Sequence, residues 1–163
     1  MRINRHLLHI LILPEDDANR QIANGFILNR NVNGTVIQVL PHDRGWENLL
    51  ETFINDHLPK IRQFQERRMV LLIDFDKRED RFSYVQSYIP DDLIERVFIL
   101  GVKSNPEKLR RVTNKSFEGI GEALAEDCAK KTNELWGHDL LEHNRSELDR
   151  MILSVRPFLF VEI

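Results

Sequence analysis

Residues 69–80, MVLLIDFDKRED, constrain the fold more than any other stretch: five apolar residues in a row lead into two aspartates one residue apart. A segment apolar on both faces belongs between two layers of helices, as the central strand of a parallel sheet does. The surrounding residues agree. HLLHILIL (6–13) reads as a first strand closed by Pro14, TVIQVL (35–40) as a second, and VFILGV (97–102) as a fourth. Helical patterns separate them. Ile22, Ala23, Phe26 and Ile27 share a face over 17–28, as do Trp46, Leu49, Leu50, Phe53, Ile54 and Leu58 in a helix broken or kinked at Pro59. Phe82, Val85, Tyr88 and Ile89 suggest a crossover helix before the fourth strand. The alternation predicts an α/β fold: a compact, mainly parallel sheet of about four strands flanked by helices, Rossmann-like in its layering.

From residue 116 onward the pattern is helical. Ser104 and Glu107 have capping-box spacing and open a short helix with Leu109 and Val112. Ser116 to Leu135 carries Phe117, Ile120, Leu124, Cys128 and Leu135 on one face, and Asn144 stands where a cap is expected for a helix with Leu148, Met151, Ile152 and Val155. The tail PFLFVEI (157–163) reads as a final edge strand. With no repeat or linker, the expectation is a single domain over 1–163, its core at about 6–115 and a helical C-terminal part at about 116–163.

Charge and cysteine usage narrow the function. Net charge is −3 and no long basic run occurs, which argues against holding nucleic acid by bulk electrostatics. It leaves room for an enzyme whose metal ions supply positive charge locally. No apolar run approaches the roughly 20 residues that span a bilayer, and the basic, apolar start leads into acids instead of a cleavage site. The single cysteine, Cys128, excludes an internal disulfide; the expected setting is the cytoplasm, with no membrane partner.

Open parallel sheets bind ligands beyond the carboxyl ends of their strands. Here those ends are acidic. The first strand runs into Glu15, Asp16 and Asp17, and the third into Asp74 and Asp76. Residues two apart on a strand share a face, so Asp74 and Asp76 are expected to point together, with Glu15 opposite them if the strands are neighbours. Clustered carboxylates repel and raise one another's pKa, and a hard cation such as magnesium relieves that repulsion. Glu15, Asp74 and Asp76 are therefore the expected metal ligands, whereas Asp16 and Asp17 read as acids at a helix start.

A strand ending in glutamate, followed by a later strand ending in Asp-x-Asp, resembles the Toprim domain of topoisomerases, bacterial primases, OLD-family nucleases and small RNA-maturation nucleases. The resemblance covers roughly residues 6–115 and is to the small stand-alone and OLD-nuclease-like members. It implies phosphodiester chemistry with magnesium or manganese, Glu15 matching the acid/base glutamate and Asp74 and Asp76 the metal-binding pair. Two positions depart from the family's pattern: Asp16 stands where glycine usually follows the glutamate, and Asn19 lies where a further acid is common.

Other chemistry-bearing residues have ordinary roles open to them as well. In ELWGHDLLEHNRSELDR (134–150), an interhelical connection accounts for Trp136, Gly137 and Asn144 but not for His138 and His143. His138 is accordingly a second catalytic candidate, with His143 behind it. DKREDR (76–81) is ordinarily a solvated helix start, yet beside a metal cluster Arg78 could hold a phosphate, as could Lys103 next to the capped SNPEK helix. His42, Arg44 and Gly45 follow the second strand and are expected at the same crevice. No P-loop, dinucleotide fingerprint, zinc pattern or Gly-x-Ser-x-Gly elbow is present.

The sequence therefore predicts a magnesium-dependent nuclease acting on DNA or RNA, with targeting left to a partner protein. Two alternatives stand beside it: a non-catalytic module binding a protein or nucleotide, and a receiver-like domain phosphorylated on Asp74.

Overall fold

The structure, a computed structural model, describes residues 3–161. Four parallel strands form one sheet: β1 (His9–Pro14), β2 (Ile37–Val39), β3 (Arg67–Leu72) and β4 (Val97–Leu100), in the order β2-β1-β3-β4. β1 pairs with β3 over its whole length, from His9 opposite Arg67 to Pro14 opposite Leu72. The chain goes one way from β1 to β2 and the other way to β3, so the order reverses between β1 and β3. That reversal opens a crevice at their carboxyl ends, the place where such sheets bind ligands.

Alternation along the strands divides the core in two. Ile10, Ile12, Val70, Phe98 and Leu100 meet helices α1 (Asp17–Leu28), α5 (Pro106–Thr113), α6 (Phe117–Lys130) and α7 (Arg145–Leu159) on one side. Leu11, Leu13, Met69, Leu71 and Ile99 meet α2 (Trp46–Thr52), α3 (Leu58–Gln63) and α4 (Arg81–Gln86) on the other. Pro59 does not break the second helical region. A π-helical turn over Phe53–His57 leads into α3, and Pro59 falls in the first turn of α3, where its missing N–H costs least.

The closest helix pair is α1 against α6, whose backbones touch through glycine. A Cβ on Gly121 would lie 1.8 Å from the Ile22 carbonyl oxygen, and one on Gly25 would lie 2.0 Å from that of Glu118. Neither obstacle is a flexible side chain, so the helices must separate to admit a methyl group. Gly121→Ala should cost about 3 kcal/mol and lower the unfolding midpoint by roughly 10 °C. Gly34→Ala is the control in a calorimetric comparison, since its nearest contact is a side-chain atom at 3.9 Å.

The C-terminal part differs from the sequence expectation in three ways. α6 ends at Lys130, because Lys131 takes a left-handed conformation and the buried Asp127 carboxylate accepts backbone hydrogen bonds from Glu134, Leu135 and Trp136. Asn144 does not cap α7 with its side chain. Its Oδ1 accepts from the Gly101 N–H at 3.1 Å, and its Nδ2 donates to the Gly101 carbonyl at 2.9 Å. Glu147 accepts from the Ile99 N–H at 2.9 Å and Arg150 donates to the Val97 carbonyl at 3.0 Å. Side chains of the 144–150 segment thus satisfy the edge of β4 that no strand covers. Finally, the tail is not an edge strand: Pro157, Phe158 and Leu159 continue α7, and Phe160 makes a single antiparallel bridge to Val32, while residues 162–163 lie outside the described residues.

Asn105, not Ser104, caps α5, accepting from the Lys108 N–H at 2.9 Å. Cys128 is a core residue, its thiol pushed up to about 12 by burial. Among the described residues no helix is long and apolar enough to cross a membrane.

Candidate metal centre at the carboxyl edge of the sheet

β1 and β3 deliver their acids to the crevice between them. The Glu15 N–H donates to the Leu72 carbonyl at 2.9 Å, which extends the β1–β3 ladder past Pro14, and the Asp74 N–H donates to Glu15 Oε1 at 3.2 Å. Asp16 has left the strand. It is the N-cap of α1, its Oδ1 accepting from the Asn19 N–H at 2.9 Å. The cap turns the Asp16 carboxylate back toward the sheet, so that Glu15, Asp16 and Asp74 each offer an oxygen and these oxygens lie within 4.8 Å of one another.

Asn19 ties the cluster together from the first turn of α1. Its Nδ2 donates to Asp74 Oδ1 at 2.8 Å and to Asp16 Oδ1 at 3.0 Å. Two carboxylate acceptors fix which amide atom is the nitrogen. The remaining atom, Asn19 Oδ1, is buried and meets no donor among the described residues. Three carboxyl groups whose oxygens gather this closely suit a hard cation, which takes carboxylate oxygens and relieves their repulsion. The donor set therefore fits a divalent ion.

Burial sets the electrostatics. Glu15 is 6% exposed and Asp74 is 7% exposed. Desolvation is the main cause that pushes Glu15 up to about 7 and Asp74 up to about 8; repulsion from Asp16 and Asp76 adds to it at both, and repulsion from Glu15 adds to it at Asp74. Hydrogen bonds oppose the rise, from the Asp74 backbone at Glu15 and from the Asn19 amide at Asp74. The Asp74 side chain also holds the Glu15 carboxyl down a little, the weakest of the influences on it.

Asp76 is placed differently from the expectation that it shares a face with Asp74. Alternation of side chains requires extended backbone, and Asp76 (φ 49°) and Lys77 (φ 58°) are both left-handed. The turn sends the Asp76 carboxylate to Arg81, whose Nη1 donates to Asp76 Oδ2 at 2.6 Å and to the Asp74 carbonyl at 2.9 Å. Asp76 acts on Glu15 and Asp74 through its charge, while Asp16 stands in the group of three instead.

The remaining candidates lie around this centre. His138 Nδ1 accepts from the Leu140 N–H at 3.1 Å, a local turn contact, and His143 packs edge-on against Phe75 at 4.9 Å between ring centroids. Neither joins the acids. Arg78 is exposed and lies 3.5 Å from Asp80. Lys103 is exposed at the end of β4, its carbonyl accepting from the Lys77 N–H at 2.7 Å. The loop after β2 does lie over the end of β1: Asp43 N–H donates to the Pro14 carbonyl and Gly45 N–H to that of Glu15. Gly45 is required there by its φ of 95°, not by close approach. Asn19 was visible in the sequence only as a departure from an acid. Arg81 stood out only as one charge among several.

No protein-family model, curated protein or solved structure matches the chain.

Proposed function

We propose that this protein carries out metal-dependent phosphodiester chemistry on nucleic acid, as a small Toprim-like nuclease using magnesium or manganese. One observation carries the reading: two buried carboxyl groups, Glu15 and Asp74, meet Asp16 at the point where the strand order reverses. Burying acids this way costs stability unless a charge of opposite sign joins them. Glu15, Asp16 and Asp74 would hold the ion. A bound divalent ion supplies positive charge to phosphate oxygens and makes water a nucleophile near neutral pH. Glu15, raised to about 7, gains and loses a proton at working pH and is the acid/base group. Arg81 positions the Asp74 backbone and holds Asp76 aside.

The direct test is cleavage of single- and double-stranded DNA and RNA with magnesium, manganese or chelator. Metal-dependent cleavage that Asp74→Asn removes supports the proposal. Absence of cleavage together with an unfolding midpoint indifferent to either metal overturns it.

A further inference from the structure

Beside the acidic centre runs a row of aromatic rings, in which Trp46 packs partly against the core and the two tyrosines extend beyond it. Trp46 meets Tyr84 edge-on at 5.3 Å between centroids, and Tyr84 meets Tyr88 at 5.4 Å, their hydroxyls 3.1 Å apart. Tyr84 is 47% exposed and Tyr88 is 39% exposed. The α4 region already docks on the sheet through Phe82, Val85 and Ile89, so the two tyrosines are not what holds it there. Arg81 links this row to the site. Its guanidinium lies 4.6 Å from the Trp46 ring centroid while it donates to the Asp74 carbonyl and the Asp76 carboxylate.

Across the same edge, on the side of the sheet where α5 packs, the surface is cationic. The Lys77 N–H donates to the Lys103 carbonyl, which fixes the two residues side by side. Lys108, at the start of α5, is half-buried, and its ammonium is held below the usual lysine range by Lys77 first and Arg111 as well. Like charges crowded on a surface suit an anion that bridges them. Glu47, by contrast, is close enough to Tyr84 to act on it electrostatically, which disfavours phosphates on the aromatic row and leaves that row to uncharged rings.

We propose that the Trp46–Tyr84–Tyr88 row and the Lys77–Lys103–Lys108 cluster together bind single-stranded nucleic acid, with unpaired bases on the rings and backbone phosphates against the lysines. A strand spanning the two surfaces crosses the edge of the sheet at the acidic centre. Base stacking on aromatics tolerates any sequence, and a duplex hides the base faces that such a row would need. The inference rests on the phosphodiester reading of the centre and names its substrate class.

The test is titration of short single-stranded DNA, single-stranded RNA and duplex in chelator, followed by tryptophan fluorescence. Trp46 reports on the row, whereas Trp136 is buried with its indole N–H donating to the Leu124 carbonyl. Single strands should bind more tightly than duplex, and the DNA and RNA arms show which backbone is preferred. Tyr84→Ala and Tyr88→Ala should each weaken single-strand binding by roughly fivefold or more, and Tyr84→Phe should retain it. Lys77→Gln with Lys108→Gln should reduce the salt dependence by about 1.4 in the log–log slope, as expected for two lost phosphate contacts. Equal binding by wild type and both tyrosine variants, equal affinity for duplex, or no binding to any oligonucleotide overturns the inference. The last includes the case in which Tyr88→Ala instead abolishes self-association. Single-strand binding without metal-dependent cleavage keeps the inference and removes the catalytic reading, so the two failures are distinguishable.

Discussion

In the proposed nuclease, Glu15→Gln should lower metal-dependent cleavage by at least a factor on the order of a hundred, the lower end of what a positioned general acid or base contributes. The substitution keeps the shape of the side chain and leaves an amide oxygen able to accept from the Asp74 N–H. It removes the titrating group. Cation binding is consequently weakened less than turnover, and the loss appears at saturating magnesium, where a ligand defect would be rescued. Asp16→Asn and Asp74→Asn behave in the opposite sense, with activity partly restored as magnesium rises. Asp76→Asn separates the observed geometry from the strand-alternation expectation. Its carboxylate is engaged by Arg81 rather than by the group of three, so its effect on metal affinity is smaller than that of Asp74→Asn. Cleavage rates across a magnesium titration check all four variants. A Glu15→Gln enzyme with wild-type turnover assigns the proton transfer to another group.

In chelator, stability falls as pH rises from about 5 to about 8.5. Glu15 and Asp74 have folded-state pKa values of about 7 and about 8, both above their ordinary carboxyl values. Between the unfolded and folded values the native state holds protons that the unfolded chain has released, so unfolding gains free energy with each step up in pH. The stabilisation from the protonated pair is present in full below pH 4 and is lost as pH passes through 7 and 8. Over that window the midpoint of thermal unfolding should drop by roughly 5 °C or more. Magnesium should oppose the drop at the alkaline end by neutralising the ionised carboxylates, adding about 2.7 kcal/mol at a hundred times its Kd. Asp74→Asn flattens the profile, exceeds wild-type stability at pH 8 in chelator and loses most of the magnesium response. A wild-type midpoint that rises or stays level across the window sinks this account of the centre.

The strands were legible in the sequence because burial on both faces leaves a run of apolar letters that no other element needs. MVLLI and VFIL announce β3 and β4, and α1 lies where the spacing of Ile22, Ala23 and Phe26 puts it. The acids at the strand ends were legible for a related reason. Carboxylates directly after an apolar strand have little structural purpose, and sheet geometry assigns that place to ligands. Glu15 and Asp74 follow from these local rules.

Local rules fail where one side chain answers to two partners. Asn144 has the sequence of a helix cap, yet the open edge of β4 offers it a donor and an acceptor at Gly101, and that pairing wins. PFLFVEI has the composition of a strand, but the side chains of α7 already satisfy the edge that such a strand could have joined. Asp76 follows Asp74 by two residues, yet two left-handed residues and Arg81 take it elsewhere. Asp16 looks like a helix cap and is one, but the cap also turns its carboxylate onto Asp74 through Asn19. The sequence by itself determined the alternating strands and helices and the two carboxyl groups at the reversal point, because burial and periodicity act over a few residues. Only the tertiary structure decided which third acid joins them and which rings and lysines border them, because those choices depend on hydrogen bonds, ring contacts and charges between residues distant in the sequence, as Asn19 is from Asp74 and Trp46 from Tyr84.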